Sequence, residues 1–301
     1  MLFTRIKPML ALKGEAPFDD DQYIFELKAD GIRLILHAKF GSGRVELYTK
    51  TGNRITDRFP EFHGLSLPGV DNIILDGELV IMNNSRPDFT RVMRRFSANP
   101  NQAGQLAGQL PATMVVFDIL QLNGQKLPGL PLLERKSLLE KTVADGPLLT
   151  KNIYVEGQGT LLFNQVVDRR LEGIIAKPKD SLYYPGRRKL WQKIKNYYYR
   201  DMDVLGYSPG SGQLLVGENG RPLARVLGLR PVDRAAIARL LPQISTGQKG
   251  DTVYIEEGIR CRVRYTVGAV DNIRECVFDS WKLTTKSYPN DTLHTVTGER
   301  A

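Results

Sequence analysis

The sequence predicts an α+β protein of two domains, the first built of antiparallel sheets with a few helices and the second a small all-β barrel. Three observations predict it. A chain of 301 residues is long for one hydrophobic core and fits two. Short apolar segments bounded by turn residues dominate the first 200 residues. After Tyr197-Tyr198-Tyr199-Arg200 the pattern resets into a new set of short strands, which places the boundary near residue 198.

Taken in order, strands are predicted over Tyr23 to Leu27, Arg33 to Ala38, Val45 to Thr49, Asn72 to Met82, Thr113 to Leu122, Gly173 to Lys177 and Lys189 to Lys195. Each is rich in Val, Ile, Leu or aromatics, residues that suit a pleated, half-buried surface. Helices are predicted over Pro87 to Ser97, with proline near the first turn, and over Leu132 to Val143, where Leu133, Leu138 and Leu139 stand among charges. The polar stretch Asn99 to Gln105, broken by Pro100 and Gly104, reads as a surface loop. Beyond the boundary, strands are predicted over Met202 to Tyr207, Arg225 to Leu229, Thr252 to Glu256, Ile259 to Thr266 and Glu275 to Trp281, with a helix over Val232 to Leu241. Roughly 100 residues of short strands with one inserted helix suit a Greek-key barrel such as the OB-fold.

Composition narrows the function. A formal charge of +9 favours a polyanionic partner, because clustered Lys and Arg displace counterions from phosphates. No run of about 18 apolar residues is present to span a bilayer, and Met1-Leu2-Phe3-Thr4-Arg5 lacks a signal-peptide core, so a cytoplasmic protein is expected. Cys261 and Cys276 cannot build a disulfide framework or a four-cysteine zinc site, and His37, His63 and His294 share no metal-ligand spacing.

Several segments carry candidate chemistry. In a strand ending near Lys28, Glu26 and Lys28 face one way and Phe25 and Leu27 the other, which sends two polar groups to a cleft and two apolar ones to a core. Asp76 and Glu78 repeat the arrangement between Leu75 and Leu79; paired acids bind ribose hydroxyls, hold a metal or form a solvated edge. Phe117, in the apolar run Met114 to Leu120, is either a core aromatic or a platform for a purine. Trp191, Lys193 and Lys195 share a strand face, which aims two ammonium groups at one place and suits a phosphate. From Lys177 to Arg200 there are eight basic residues against the single acid Asp180, too concentrated for an evenly mixed surface.

Lys28-Ala29-Asp30-Gly31, Leu75-Asp76-Gly77-Glu78, Phe117-Asp118-Ile119-Leu120, Glu172 to Lys177 and Trp191 to Lys195 resemble, in this order, motifs I, III, IIIa, IV and V of the covalent lysyl-nucleotide superfamily. They are most similar to ATP-dependent DNA ligases of the small bacterial type. Lys7 to Ala11 and Tyr184 to Arg188 match ligase patterns too. The resemblance implies an ATP-grasp-like nucleotidyltransferase (adenylation) domain over residues 1–198 and an OB-fold barrel over residues 199–301. It implies that Lys28 attacks the α-phosphate of ATP, that AMP passes to the 5′-phosphate of a nick in duplex DNA, and that the 3′-hydroxyl then displaces AMP. Lys193 and Lys195 would stabilise the α-phosphate, Glu172 would position Mg²⁺ with Glu78 as a second ligand, and Mn²⁺ could replace it. Glu78 is the implied ribose contact, Phe117 the adenine platform, Glu26 the reader of the adenine edge and Arg33 a ribose or DNA-phosphate contact.

Two departures accompany the resemblance. Lys50 stands where ligases place an arginine that contacts the DNA phosphate, with Arg54 as a substitute. The region of motif VI, Asn272 to Lys282, lacks the usual basic pair, for which Lys282 and Lys286 are the stand-ins. Independently of any family, Arg260, Arg262 and Arg264 alternate with Ile259, Cys261, Val263 and Tyr265, which predicts a strand with a basic face for the DNA backbone. An RNA ligase or mRNA-capping guanylyltransferase is the alternative within the same chemistry, and a non-catalytic DNA-end-binding module is the alternative outside it. A monomer associated with the nucleoid, lacking a DNA-encircling domain and served by a recruiting protein, is expected.

Overall fold

The structure is a computed structural model and describes residues 1–268 and 273–282. The chain forms two compact units, Met1–Tyr197 with residues 266–268, and Tyr198–Tyr265 with Ile273–Lys282.

The first unit is built on two large sheets. One runs in the order Leu149–Lys151, Thr113–Leu122, Asn72–Val80, Ile32–Lys39, Arg44–Thr49, with Gln125–Lys126 folded back onto Thr113–Leu122. The other, which carries the site, runs Met9–Lys13, Gly186–Lys195, Gly173–Pro178, Asp20–Leu27, Tyr154–Gly157. Both are mixed rather than purely antiparallel, since Met9–Lys13 joins Gly186–Lys195 in parallel and Leu149–Lys151 joins Thr113–Leu122 in parallel. These short edge strands, with Tyr154–Gly157, were not predicted because they carry too few residues to show a period.

Strand alternation builds the cores. Leu34, Leu36 and Ala38 enter a core with Leu75, Leu79, Phe59 and Phe62, while Ile35 meets Ile74, Phe117 and Trp191 on the opposite face. Each fully buried Leu or Ile contributes about 1.5–3 kcal/mol of transfer free energy. Beneath the site sheet, Phe25, Ile174, Ala176 and Ile194 pack with Val166.

Among the described residues, four helices flank these sheets: α1 (Phe89–Ser97), α2 (Ala103–Gln109), α3 (Leu132–Thr142) and α4 (Gly159–Asp168). Helix α1 begins after Pro87, because Asp88 is extended and its carboxylate accepts from the N–H groups of Thr90 and Arg91. Pro87 instead pairs in the two-residue strand Arg86–Pro87 against Met82–Asn83, which shortens the predicted Asn72 to Met82 strand. The expected loop Asn99 to Gln105 is a 3-10 turn, Pro100–Gln102, leading into α2. Ala103 and Leu106 are its buried residues, too sparse a stripe to mark a helix in the sequence.

The second unit, over its described residues, is all-β apart from α5 (Pro231–Ile244). Tyr198–Ser208 pairs with Gln213–Glu218, which pairs with Arg221–Val226; on its other side Tyr198–Ser208 pairs with Arg260–Val267, which pairs with Ile273–Lys282. A parallel bridge between Leu227 and Val277 closes these five strands into a circuit, the closure of an OB-type barrel. Arg221–Val226 replaces the predicted Arg225 to Leu229 strand, and its partner Gln213–Glu218 was not predicted.

Candidate active site

Lys28 leaves the strand Asp20–Leu27 with its N–H donating to Gly173 O at 2.9 Å, which ties it to the segment that bears Glu172. Its Nζ donates to Glu172 Oε2 at 2.7 Å across 144 residues of sequence. Lys195 Nζ lies 3.3 Å from Glu172 Oε1, so one carboxylate gathers both lysines. Two glycines allow close packing beside these residues. A Cβ on Gly31 would stand 2.1 Å from Leu79 O, and one on Gly173, where φ is +152°, would stand 2.2 Å from Ile194 O.

Glu26, Lys28, Arg33, Glu78, Phe117 and Lys193 line a single cavity of about 510 Å³, and Lys50 lies on it as well. Its size and mixed lining are those of a small-ligand site. Lys195 stands outside the lining and reaches the site through Glu172. Arg54 is also outside it, with its guanidinium 2.9 Å from Asp57.

The two acids of the Asp76-Gly77-Glu78 segment separate in role. Asp76 is fully buried and holds Arg33 through two hydrogen bonds of 2.5 and 2.6 Å, while Tyr183 Oη donates to it at 2.5 Å. Asp76 thus fixes Arg33 and is not available to a ligand. Glu78 lines the cavity, and burial pushes its carboxyl up to about 7; Glu172 and Asp76 add to the push, against Lys28 and Arg33.

Phe117 is 7% exposed, carries the Arg33 guanidinium 4.2 Å and the Lys177 ammonium 4.5 Å from its ring centroid, and meets Trp191 edge-on. Lys177, counted with the basic run in the sequence, is in fact buried: it lies 2.6 Å from Glu26 Oε2 and 4.0 Å from the Trp191 centroid. Glu26 is buried between Lys177 and Lys136 of α3. Burial raises the carboxyl of Glu26, but the two lysines more than offset that and bring it below its usual range. Lys136 was missed because nothing in the sequence links α3 to the strand Asp20–Leu27.

In the second unit, Arg260 and Arg262 are exposed and Arg264 is half-buried, while Cys261 and Val263 enter the barrel core. The face is less bare than alternation predicts. Arg260 pairs with Asp203 at 3.0 Å, and Arg262 lies 5.3 Å from the Tyr199 ring centroid. Lys282 Nζ is 3.6 Å from Asp201, and Lys286 lies outside the described residues, as does Asn272 of the motif VI region.

Comparison with known proteins supplies the family. A family model described as "ATP dependent DNA ligase domain" matches residues 8–195. The chain belongs to the ATP-dependent DNA ligase family. It is 32% identical over 285 residues to the SPbeta prophage-derived DNA ligase-like protein LigB of Bacillus subtilis, covering 92% of this chain and 99% of that protein. It is 32% identical over 229 residues to the multifunctional non-homologous end joining DNA repair protein LigD of Mycobacterium tuberculosis, of whose length it spans 28%. Among solved structures, a mycobacterial DNA ligase D complexed with ATP and MES superposes with a TM-score of 0.56 at 25% identity, covering 92% of this chain and 94% of that one. Membership makes this chain an enzyme, an ATP-dependent DNA ligase, with the α+β nucleotidyltransferase and OB architecture of the ligase catalytic fold. Among the described residues no helix is long and apolar enough to cross a membrane.

Proposed function

We propose that this ligase seals nicks in duplex DNA through a lysyl-AMP intermediate on Lys28. The observation that carries the assignment is Lys28 Nζ held 2.7 Å from Glu172 on the wall of a cavity that also presents Phe117, Glu78 and Lys193. In the first step Nζ forms a P–N bond with the α-phosphorus of ATP and pyrophosphate leaves. In the second, a 5′-phosphate oxygen of the nick takes the AMP and the P–N bond breaks. In the third, the 3′-hydroxyl oxygen attacks the 5′-phosphorus and AMP departs.

Lys28 must shed a proton before it attacks. Glu172 already accepts from Nζ at 2.7 Å and is placed to hold that hydrogen bond as Lys28 turns toward the α-phosphate. Lys193 and Lys195 then balance charge on the α-phosphate. Glu78 and Arg33 serve the ribose, Phe117 the base, and Glu26 the base edge.

Glu172 and Glu78 fit Mg²⁺, or Mn²⁺ in its place. They are hard oxygen donors: Glu78 lines the cavity, Glu172 stands outside its lining and reaches it through Lys28, and repulsion from Glu172 helps hold the Glu78 carboxyl up. Among the described residues no group of three or more His, Cys, Asp or Glu side chains could hold a metal. Two carboxylates are nonetheless what Mg²⁺ needs when phosphates and water complete its shell. When bound, the ion supplies charge neutralisation on the phosphates.

Residues 1–198 act as the adenylation domain and residues 199–301 as the OB-fold domain. Lys50 contacts DNA at the cavity, and Arg54, Arg260, Arg262 and Arg264 contact the backbone. The ligase works as a monomer on nucleoid DNA, brought there by a recruiting protein. Incubation with labelled ATP and Mg²⁺ tests the reading: a covalent adduct and nick sealing are expected from the native chain and neither from Lys28→Ala. An adduct formed with GTP alone would sink it.

A further inference from the structure

Glu26 binds two lysines, and only one of them lines the nucleotide cavity. Lys177, from the strand Gly173–Pro178, reaches Glu26 Oε2 from the cavity side, with its ammonium against the Phe117 and Trp191 rings. Lys136, from α3, reaches Glu26 Oε1 from elsewhere: it lines a separate surface groove of about 360 Å³ and lies 5.2 Å from the Tyr154 ring centroid. It is only 5% exposed. One carboxylate between two buried ammonium groups leaves an excess positive charge beside the cavity. A buried charge in excess is costly unless a ligand atom answers it. Asp118, the other acid acting on Lys177, is taken by Arg135 through hydrogen bonds of 2.7 and 2.9 Å.

We propose that Lys136 is a positioning residue for ATP: from outside the cavity it holds the Glu26 carboxylate in place beside Lys177, where the purine meets both. An ammonium can only donate, so it selects ring-nitrogen acceptors, and the neighbouring carboxylate can only accept, so it selects the exocyclic amine. The pair Lys177 and Glu26 therefore offers adenine one donor and one acceptor. Lys136 occupies the remaining oxygen of Glu26 and keeps the carboxylate from turning away from the base. The inference rests on the nucleotide reading of the cavity given above.

Titration supplies a readout that a merely structural lysine would not move. Burial, together with the charge of Lys136, brings Lys177 down to about 8, while Glu26 and Asp118 act the other way. Removing the charge of Lys136 must then move the loss of the Lys177 proton to higher pH.

The experiment measures lysyl-AMP formation with ATP across pH 7 to 9, in the full chain, for Lys136→Met and Lys136→Arg. In the Met variant KM for ATP is expected to rise by about tenfold with a much smaller change in kcat. The pH at which KM climbs should move upward. In the Arg variant both are expected to return toward the native values. If the Met variant does not melt cooperatively, Lys136→Gln, which keeps a donor for Glu26 without the charge, carries the upward pH shift with a smaller rise in KM. An unchanged KM and pH midpoint in a cooperatively folded Met or Gln variant overturns the proposal and leaves the ligase reading intact. A native chain that forms no adduct overturns that reading instead.

Discussion

Glu78 couples the protonation state of the cavity to the stability of the chain. Its carboxyl is pushed from an ordinary 4.5 up to about 7, burial being the main cause. A group whose folded pKa is raised contributes stability that is complete below its unfolded value and lost as pH rises through its folded one. Denaturant midpoints of the ligand-free protein should therefore fall as pH is taken from about 5 to about 8, and Glu78→Gln should flatten that fall. Identical slopes in the two proteins would show that Glu78 is not the group responsible. Asp76, two residues earlier, is spent on Arg33 and Tyr183, so the same segment supplies one structural acid and one acid for the site. Chemistry by residue type could not divide them. Only the burial of Asp76 against its partners does.

Among the elements, the strand Gly173–Pro178 does most to assemble the site. It pairs with Asp20–Leu27 on one side and Gly186–Lys195 on the other, so it joins the segments of Lys28, Lys193 and Lys195. Gly173 allows the close approach, with room for no Cβ beside Ile194 O. Gly173→Ala should displace Glu172 from Lys28 and slow adduct formation by about 10²-fold, the usual consequence of misplacing a reacting group by an ångström. Its thermal midpoint should fall as well. Adduct formation at the native rate would mean that the strand tolerates the methyl group and that this glycine does not set the geometry. Longer elements such as Thr113–Leu122 and α3 were legible in the sequence because their apolar pattern extends over enough residues. Helices α2 and α4 were not, since α2 buries few side chains and α4 packs on the site sheet through Val166, Leu162 and Phe163 without a clean polar face.

At the scale of the whole molecule, the formal charge of +9 bears on DNA binding rather than on fold. Nick binding should weaken steeply with salt, and replacing Arg260, Arg262 and Arg264 by Ala should lower the salt slope by about one for each phosphate no longer neutralised. Because Asp203 already holds Arg260, Arg262→Ala alone should account for most of the change. An unaltered slope in the triple variant would remove the strip from the DNA interface.

The sequence by itself determined the two-part division of the strand pattern, a local property of composition and period, and, through the ordered segments from Lys28 to Lys195, the resemblance to ATP-dependent DNA ligases. Only the tertiary structure decided which charges are spent internally. Glu26 with Lys136 and Lys177, Asp76 with Arg33, and Asp118 with Arg135 are separated by 17 to 151 residues along the chain, and no periodic signal links such partners. Burial makes each of these charges find a counter-charge, and which one it finds depends on the sheet pairing that brings the segments together.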